Sequence, residues 1–279
     1  MSGSKIRNIA IVSLLLVNIL FLAIIIIDAA EDARFEREAL ENISAILYAG
    51  GITIDPDNII SADALRTMRT ARAADVERSI VGALLGETNI TDQGVIYVYE
   101  NPYRGTAEFY SAGDFDVRLF EGVITGGGDV IRTVRSLLQN MGIETMSIAL
   151  TSDFDDNEAG SEIVTAVAAY RGAGIFNSVI IFEFKAESLV SVSGRYVAGI
   201  EPVDDFAELS QVSSALIRFL AAVKNEELSD FDCNEILDVR AGFRHQSVGT
   251  DEGIIDPVWL ITTGNARFMV DSDGEIFVS

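Results

Sequence analysis

The chain has 279 residues, 49% apolar and 23% charged, enough to bury a sizeable core and too apolar for a disordered polymer. Its formal net charge of −23 repels phosphate backbones and disfavours a nucleic-acid partner on electrostatics alone. One cysteine, Cys233, rules out an intramolecular disulfide and any cysteine-cluster metal site, and it reads as a small buried apolar group.

Residues 1–8 carry Lys5 and Arg7. Ile9 to Ile27 is then an apolar run broken only by Ser13 and Asn18. At about 1.5 Å per residue the run spans about 28 Å, close to the hydrocarbon thickness of a bilayer. Asp28, Glu31 and Asp32 follow it, so the positive-inside rule predicts a single-pass anchor with a short cytoplasmic tail and everything after Asp28 outside. The run is longer than a signal-peptide core and no A-x-A site closes it, which favours an uncleaved anchor; Ala29-Ala30 keep cleavage as the alternative. Asn18 lies at mid-bilayer, where its amide would bond either to its own backbone or to another transmembrane helix; it is the candidate interaction residue.

Residues 28–50 read as a stalk helix, with Phe35, Leu40, Ile43 and Leu47 at helical spacing and Gly50-Gly51 as the stop. Three blocks follow, each a helix and then strands. The first has a helix over 73–85 and strands at 95–99, 106–110 and 115–120. The second has a helix bearing Val130, Val134, Leu137 and Met141, closed by Gly142, and strands at 145–150, 163–170, 178–185 and 188–197. The third opens with Asp205 and Glu208 in a capping-box spacing, and Leu209, Val212, Leu216, Leu220 and Val223 form its stripe. Strands at 235–243, 258–262, 266–270 and 275–278 complete it, the last two joined by a turn at Asp273-Gly274. Strand runs after single helices predict an α+β fold, with antiparallel sheets each packed against a helix. Two subdomains are expected, over 51–125 and 126–279.

The candidates for chemistry are weak. Gly126-Gly127-Gly128 precedes a helix but lacks the Lys and Ser/Thr of a phosphate loop, so it reads as a connector with Asp129 as cap. Asp153, Asp155, Asp156, Asn157 and Glu158 start like an EF-hand loop and then lack its Gly and its final Glu. His245, near Ser247 and Asp251, has no nucleophile in a strained G-x-S-x-G turn. Asn42-Ile43-Ser44 and Asn89-Ile90-Thr91 match a glycosylation pattern that matters only in a eukaryotic secretory pathway. No catalytic, cofactor-binding or metal-ligating residue is assigned.

Four stretches carry a family resemblance: Gly174-Ile175-Phe176-Asn177 before an apolar strand; Val192-Ser193-Gly194-Arg195-Tyr196; Cys233-Asn234-Glu235-Ile236 leading to Ala241-Gly242-Phe243; and Asp256-Pro257-Val258-Trp259 leading to Arg267-Phe268-Met269-Val270-Asp271 and Gly274-Glu275-Ile276. On these the chain resembles the YycI branch of the YycH/YycI extracytoplasmic regulators, and its C-terminal end is similar to a PepSY-type module. The resemblance implies a protein of the bacterial cytoplasmic membrane with a YycH-like companion, modulating a WalK/YycG-type sensor histidine kinase that controls cell-wall metabolism. It implies contact between proteins and no enzyme activity. The alternatives are a PepSY-like module that inhibits a wall-associated protease, and a wall-polymer hydrolase, which would need two convergent carboxylates.

Overall fold

The computed structural model describes residues 38–60, 65–110, 113–151, 161–203, 208–249 and 251–278, with Asn18, Phe21 and Arg34 as isolated positions. Apart from Asn18 and Phe21, the expected anchor lies outside this set, as do Asp153 to Glu158. Among the described residues no helix is long and apolar enough to cross a membrane.

The architecture is α+β, with four helices and sixteen strands joined in one hydrogen-bonded system among the described residues. Two cores lie along it. In the first, α2 (Ala74–Leu84) and α3 (Val130–Met141) pack on strands β5 (Ile96–Asn101), β6 (Gly105–Tyr110) and β7 (Asp114–Leu119), while β4 (Asn89–Asp92) pairs with β5 and is exposed along its length. Beyond β7 the layer runs through β11 (Ser188–Arg195) and β10 (Ala173–Lys185) to β9 (Ser161–Tyr170) and β8 (Thr145–Thr151). Alternation along β6 and β7 buries Ala107 and Phe109, then Phe115, Val117 and Leu119, on one face. Burial of each such large side chain contributes roughly 1.5–3 kcal/mol. Asp129 caps α3 by accepting from Arg132 N at 2.9 Å, and Gly142 ends it in a left-handed conformation, φ 74°.

The second core is built from both ends of the described chain. Helix α1 (38–49) and α4 (Val212–Lys224) pack on β13 (Glu235–Ser247), β14 (Glu252–Thr263), β15 (Arg267–Asp271) and β16 (Ile276–Val278). Ile43 and Leu47 of α1 are fully part of this core, so the lower stretch of the expected stalk is a packed element. Residues on both sides of Gly126-Gly128 share the first core, from Ile80 to Tyr196.

Three expectations are corrected. The sheet is not wholly antiparallel. One edge of β13 is covered in succession by β1 (Thr53–Ile54), β2 (Ile59–Ile60) and Ile175 of β10, all parallel to it. These partners are too short or too distant in sequence to leave a βαβ pattern. The third helix starts later than expected: Asp205 lies outside the described residues, α4 begins at Val212 with Gln211 at its N-cap, and Glu208 makes an isolated bridge to Arg66. The buried stripe of α4 accordingly centres on Ala215, Leu216, Phe219 and Ala222, with Leu209 ahead of the helix. Finally, the strand expected at 235–243 runs on through Gln246 and Ser247 as β13.

Two motif residues have plain structural reasons. Pro257 lies between the stretch of β14 paired with β3 (Met68–Ala71) and the stretch paired with β15. A residue without an N–H is tolerated at such a gap. Asp271 closes the final hairpin by accepting from the backbone N–H groups of Asp273 and Glu275, at 3.0 and 2.9 Å, with Gly274 at φ 85°.

Candidate functional site

The densest polar constellation lies where the two cores meet. Glu77 is in the first turn of α2, one turn before Ile80 and Val81 and two before Leu84, and so falls on the buried face of the helix. Its side chain is fully buried. Arg72, just after β3, donates to both its oxygens, at 2.6 and 2.7 Å. Tyr196, beyond the end of β11, donates at 2.6 Å and Tyr99 of β5 at 3.0 Å. The Arg72 guanidinium also stands 3.3 Å over the centre of the Tyr97 ring.

The two hydroxyls are aimed by ring packing. Tyr99, Phe109, Phe115 and Tyr196 form a cluster with centroids 5.4–6.2 Å apart, mostly edge-to-face. Burial works to raise the Glu77 carboxyl, but the hydrogen bonds from Arg72 and Tyr196, the Arg72 charge and the bond from Tyr99 outweigh it and hold it below the usual range. Burial pushes Tyr99 up to about 12 and raises Tyr196 as well. All three donors keep their protons at any physiological pH. Glu77 is therefore a fixed anion that ties elements of both cores together, not a base waiting for a substrate.

His245 occupies the same seam. It is buried on β13, with Nε2 3.3 Å from Thr70 Oγ1 and no partner for Nδ1 among the described residues. Burial, assisted by the nearby Arg195, lowers it to about 4. Ser247 and Asp251 are exposed and make no hydrogen bond to the ring. Asn177 of β10 brackets the His245 backbone, donating Nδ2–H to its carbonyl and accepting its N–H at Oδ1, both 2.8 Å. An amide side chain thus continues the parallel pairing that Ile175 begins. Arg195 grips Asp114 through two 2.8 Å bonds nearby, and Ser178 donates to the Arg195 carbonyl at 2.8 Å.

The other candidates are placed as follows. Asn18 is helical and exposed, with nothing described around it. Gly126 N–H donates to the Glu187 carbonyl at 2.7 Å, as a connector should. Cys233 is buried, and burial raises its thiol. Asn42 and Asn89 are both exposed. Reasoning from the sequence missed Arg72, Glu77, Tyr99 and Tyr196. The one available signal was an acid on the apolar stripe of a helix; its partners lie up to 119 residues away.

No protein-family model matches the chain, and no curated protein matches it in sequence. Solved structures do. An uncharacterized protein from Eubacterium rectale superposes with a TM-score of 0.51 at 8% identity, over 81% of this chain and 87% of that one. The YpeB C-terminal domain of Bacillus megaterium gives 0.37 at 12% identity, over 75% and 98%. YycH from Bacillus subtilis gives 0.41 at 11%, over 75% of this chain and 53% of that one. The first likeness is one of fold alone.

Proposed function

We propose that the chain is an extracytoplasmic accessory regulator, held in the bacterial membrane by Ile9–Ile27, that acts on a WalK/YycG-type sensor histidine kinase through protein contact and alongside a YycH-like companion. It performs no chemistry of its own and uses no cofactor. Regulation by contact requires only that the chain bind one conformation of the kinase better than the other.

The observation that carries this reading is the seating of α1. The helix that follows the apolar run is not a loose tether: Ile43 and Leu47 are buried among α4 and the second core. Its last turn lies so close to α4 that a Cβ on Gly50 would meet Leu220 Cδ1 at 2.5 Å. A shift or rotation that reached α1 would be passed to the folded domain rather than absorbed. The sequence resemblance, densest over residues 174–278, supports the same role.

The test is in-membrane crosslinking and recovery of the tagged full-length chain, with an Asn18→Leu version alongside. Recovery of a sensor histidine kinase, weakened by Asn18→Leu, is the expected result and puts coupling in the bilayer. Equal recovery with both versions moves the contact to the outside domain. Recovery of a protease or wall enzyme without a kinase would overturn the reading and favour a PepSY-like inhibitor module, which should also work as a soluble fragment from Glu31 onward.

A further inference from the structure

The β13–β14–β15 layer turns one face to α1 and α4. Its other face presents the cross-strand rows Asp238–Thr262–Arg267 and Arg240–Leu260–Met269. Phe176 from β10 packs against Leu260 and Met269 there, and Met146 from β8 lies against the same cluster. Between these walls is a cavity of about 300 Å³, lined by Met146, Phe176, Leu260, Asp238, Arg240 and Arg267, among others. That volume is at the lower end of small-ligand sites and fits one large apolar side chain with its adjoining backbone.

The charge at this cavity runs against the rest of the chain. Acids outnumber lysine and arginine by 43 to 20 overall, yet the charged residues at the cavity are two arginines and one aspartate. Arg240 directs only its Nε to Asp238, at 2.6 Å, which leaves its terminal amino groups for another acceptor. Arg267 is exposed and pairs with no carboxylate among the described residues. Planar guanidiniums beside an apolar slot suit a carboxylate attached to an apolar group.

We propose that this cavity binds an acidic peptide segment of a partner protein. A large apolar side chain enters between Met146, Phe176 and Leu260, and a neighbouring carboxylate is held by Arg267 with help from Arg240. A basic segment would set its own cations against these two guanidiniums. The site does not rest on the chain being a kinase regulator, since it follows from the chemistry of this face alone.

The experiment uses the full-length chain in detergent micelles with carbon-13-labelled methionine methyls. It is titrated with acetyl-Ser-Leu-Glu-Ser-amide and, separately, with the same peptide bearing Lys for Glu. The Glu peptide should shift the Met146 and Met269 methyl signals saturably, and the Lys peptide should leave them in place. Arg267→Gln should weaken the Glu peptide at least fivefold, while Arg135→Gln on the exposed side of α3 leaves it unchanged. Equal shifts with both peptides, a Glu-peptide affinity indifferent to Arg267→Gln, or no shift with either peptide would each overturn the proposal. Because Arg267 is exposed, an unchanged methionine spectrum of the free variant checks that its fold is intact.

Discussion

Glu77 and His245 sit in one seam and make the same demand on protons, since both must stay deprotonated in the native chain. The folded carboxyl of Glu77 is depressed, so the stability it contributes is present above the ordinary carboxylate pKa and is lost as pH falls through the folded value. His245 is held neutral down to about 4 against an ordinary 6.5, so between those values the unfolded chain binds the proton and the native chain does not. Stability therefore falls with pH from about 6.5 downward, by up to about 3 kcal/mol from this residue. Urea midpoints at a series of pH values should decline in two stages, and His245→Gln should flatten the upper one. A variant that keeps the full decline between 6.5 and 4 would assign it elsewhere. Glu77→Gln at neutral pH leaves the partly buried Arg72 guanidinium without its counter-charge, and should cost about 3–5 kcal/mol. An effect below about 1 kcal/mol would mean that water replaces the carboxylate.

Among the elements, β10 serves both cores. Its later residues, Ile180 to Lys185, pair with β11, while Ile175 pairs with β13, and the pairing with β9 shifts between Gly174 and Val179. Asn177 sits at this break and supplies the two bonds that the irregular backbone does not make. Asn177→Ala should therefore lower stability by about 2 kcal/mol, one per hydrogen bond, read from denaturant midpoints. Loss of less than a few tenths would show that the bracket is ornamental. In the neighbouring strand, Gly194 has φ 146°, and a Cβ there would meet the Val179 carbonyl oxygen at 2.1 Å. Gly194→Ala must shift backbone in two paired strands, so it should destabilise by more than the Asn177 change and disturb amide exchange along β10 and β11. Asn177 and Gly194 of these motifs are thus backbone devices.

At the scale of the molecule, the question is whether the two cores act as one. Arg72 leaves a strand of the second core's sheet, yet its partners Glu77 and Tyr97 belong to the elements of the first. The seam predicts a single calorimetric transition for the wild-type chain and a split or broadened one for Arg72→Ala. Two resolved transitions in the wild type would show that the contact does not couple them. Leu47→Ala addresses the other end of the linkage: a buried leucine lost from α1 should cost about 2–5 kcal/mol and lower the thermal midpoint. A free stalk would lose nothing.

The sequence by itself determined what short range can encode. Apolar periodicity marked α2, α3 and α4 and the long strands, although it set the start of α4 too early. Asp129, Gly142 and the Asp271 turn were legible because a cap or a tight turn is set within four residues. The tertiary structure alone decided three things. On the edge of β13 the parallel partners are β1 and β2, of two residues each and too short to show a period, and a single residue of β10, whose local pattern cannot name a partner so distant in sequence. The seating of α1 depends on α4, more than 160 residues later in the chain. The partners of Glu77 come from three separate stretches, and the energy that makes a buried carboxylate tolerable exists only once those donors converge and water is gone.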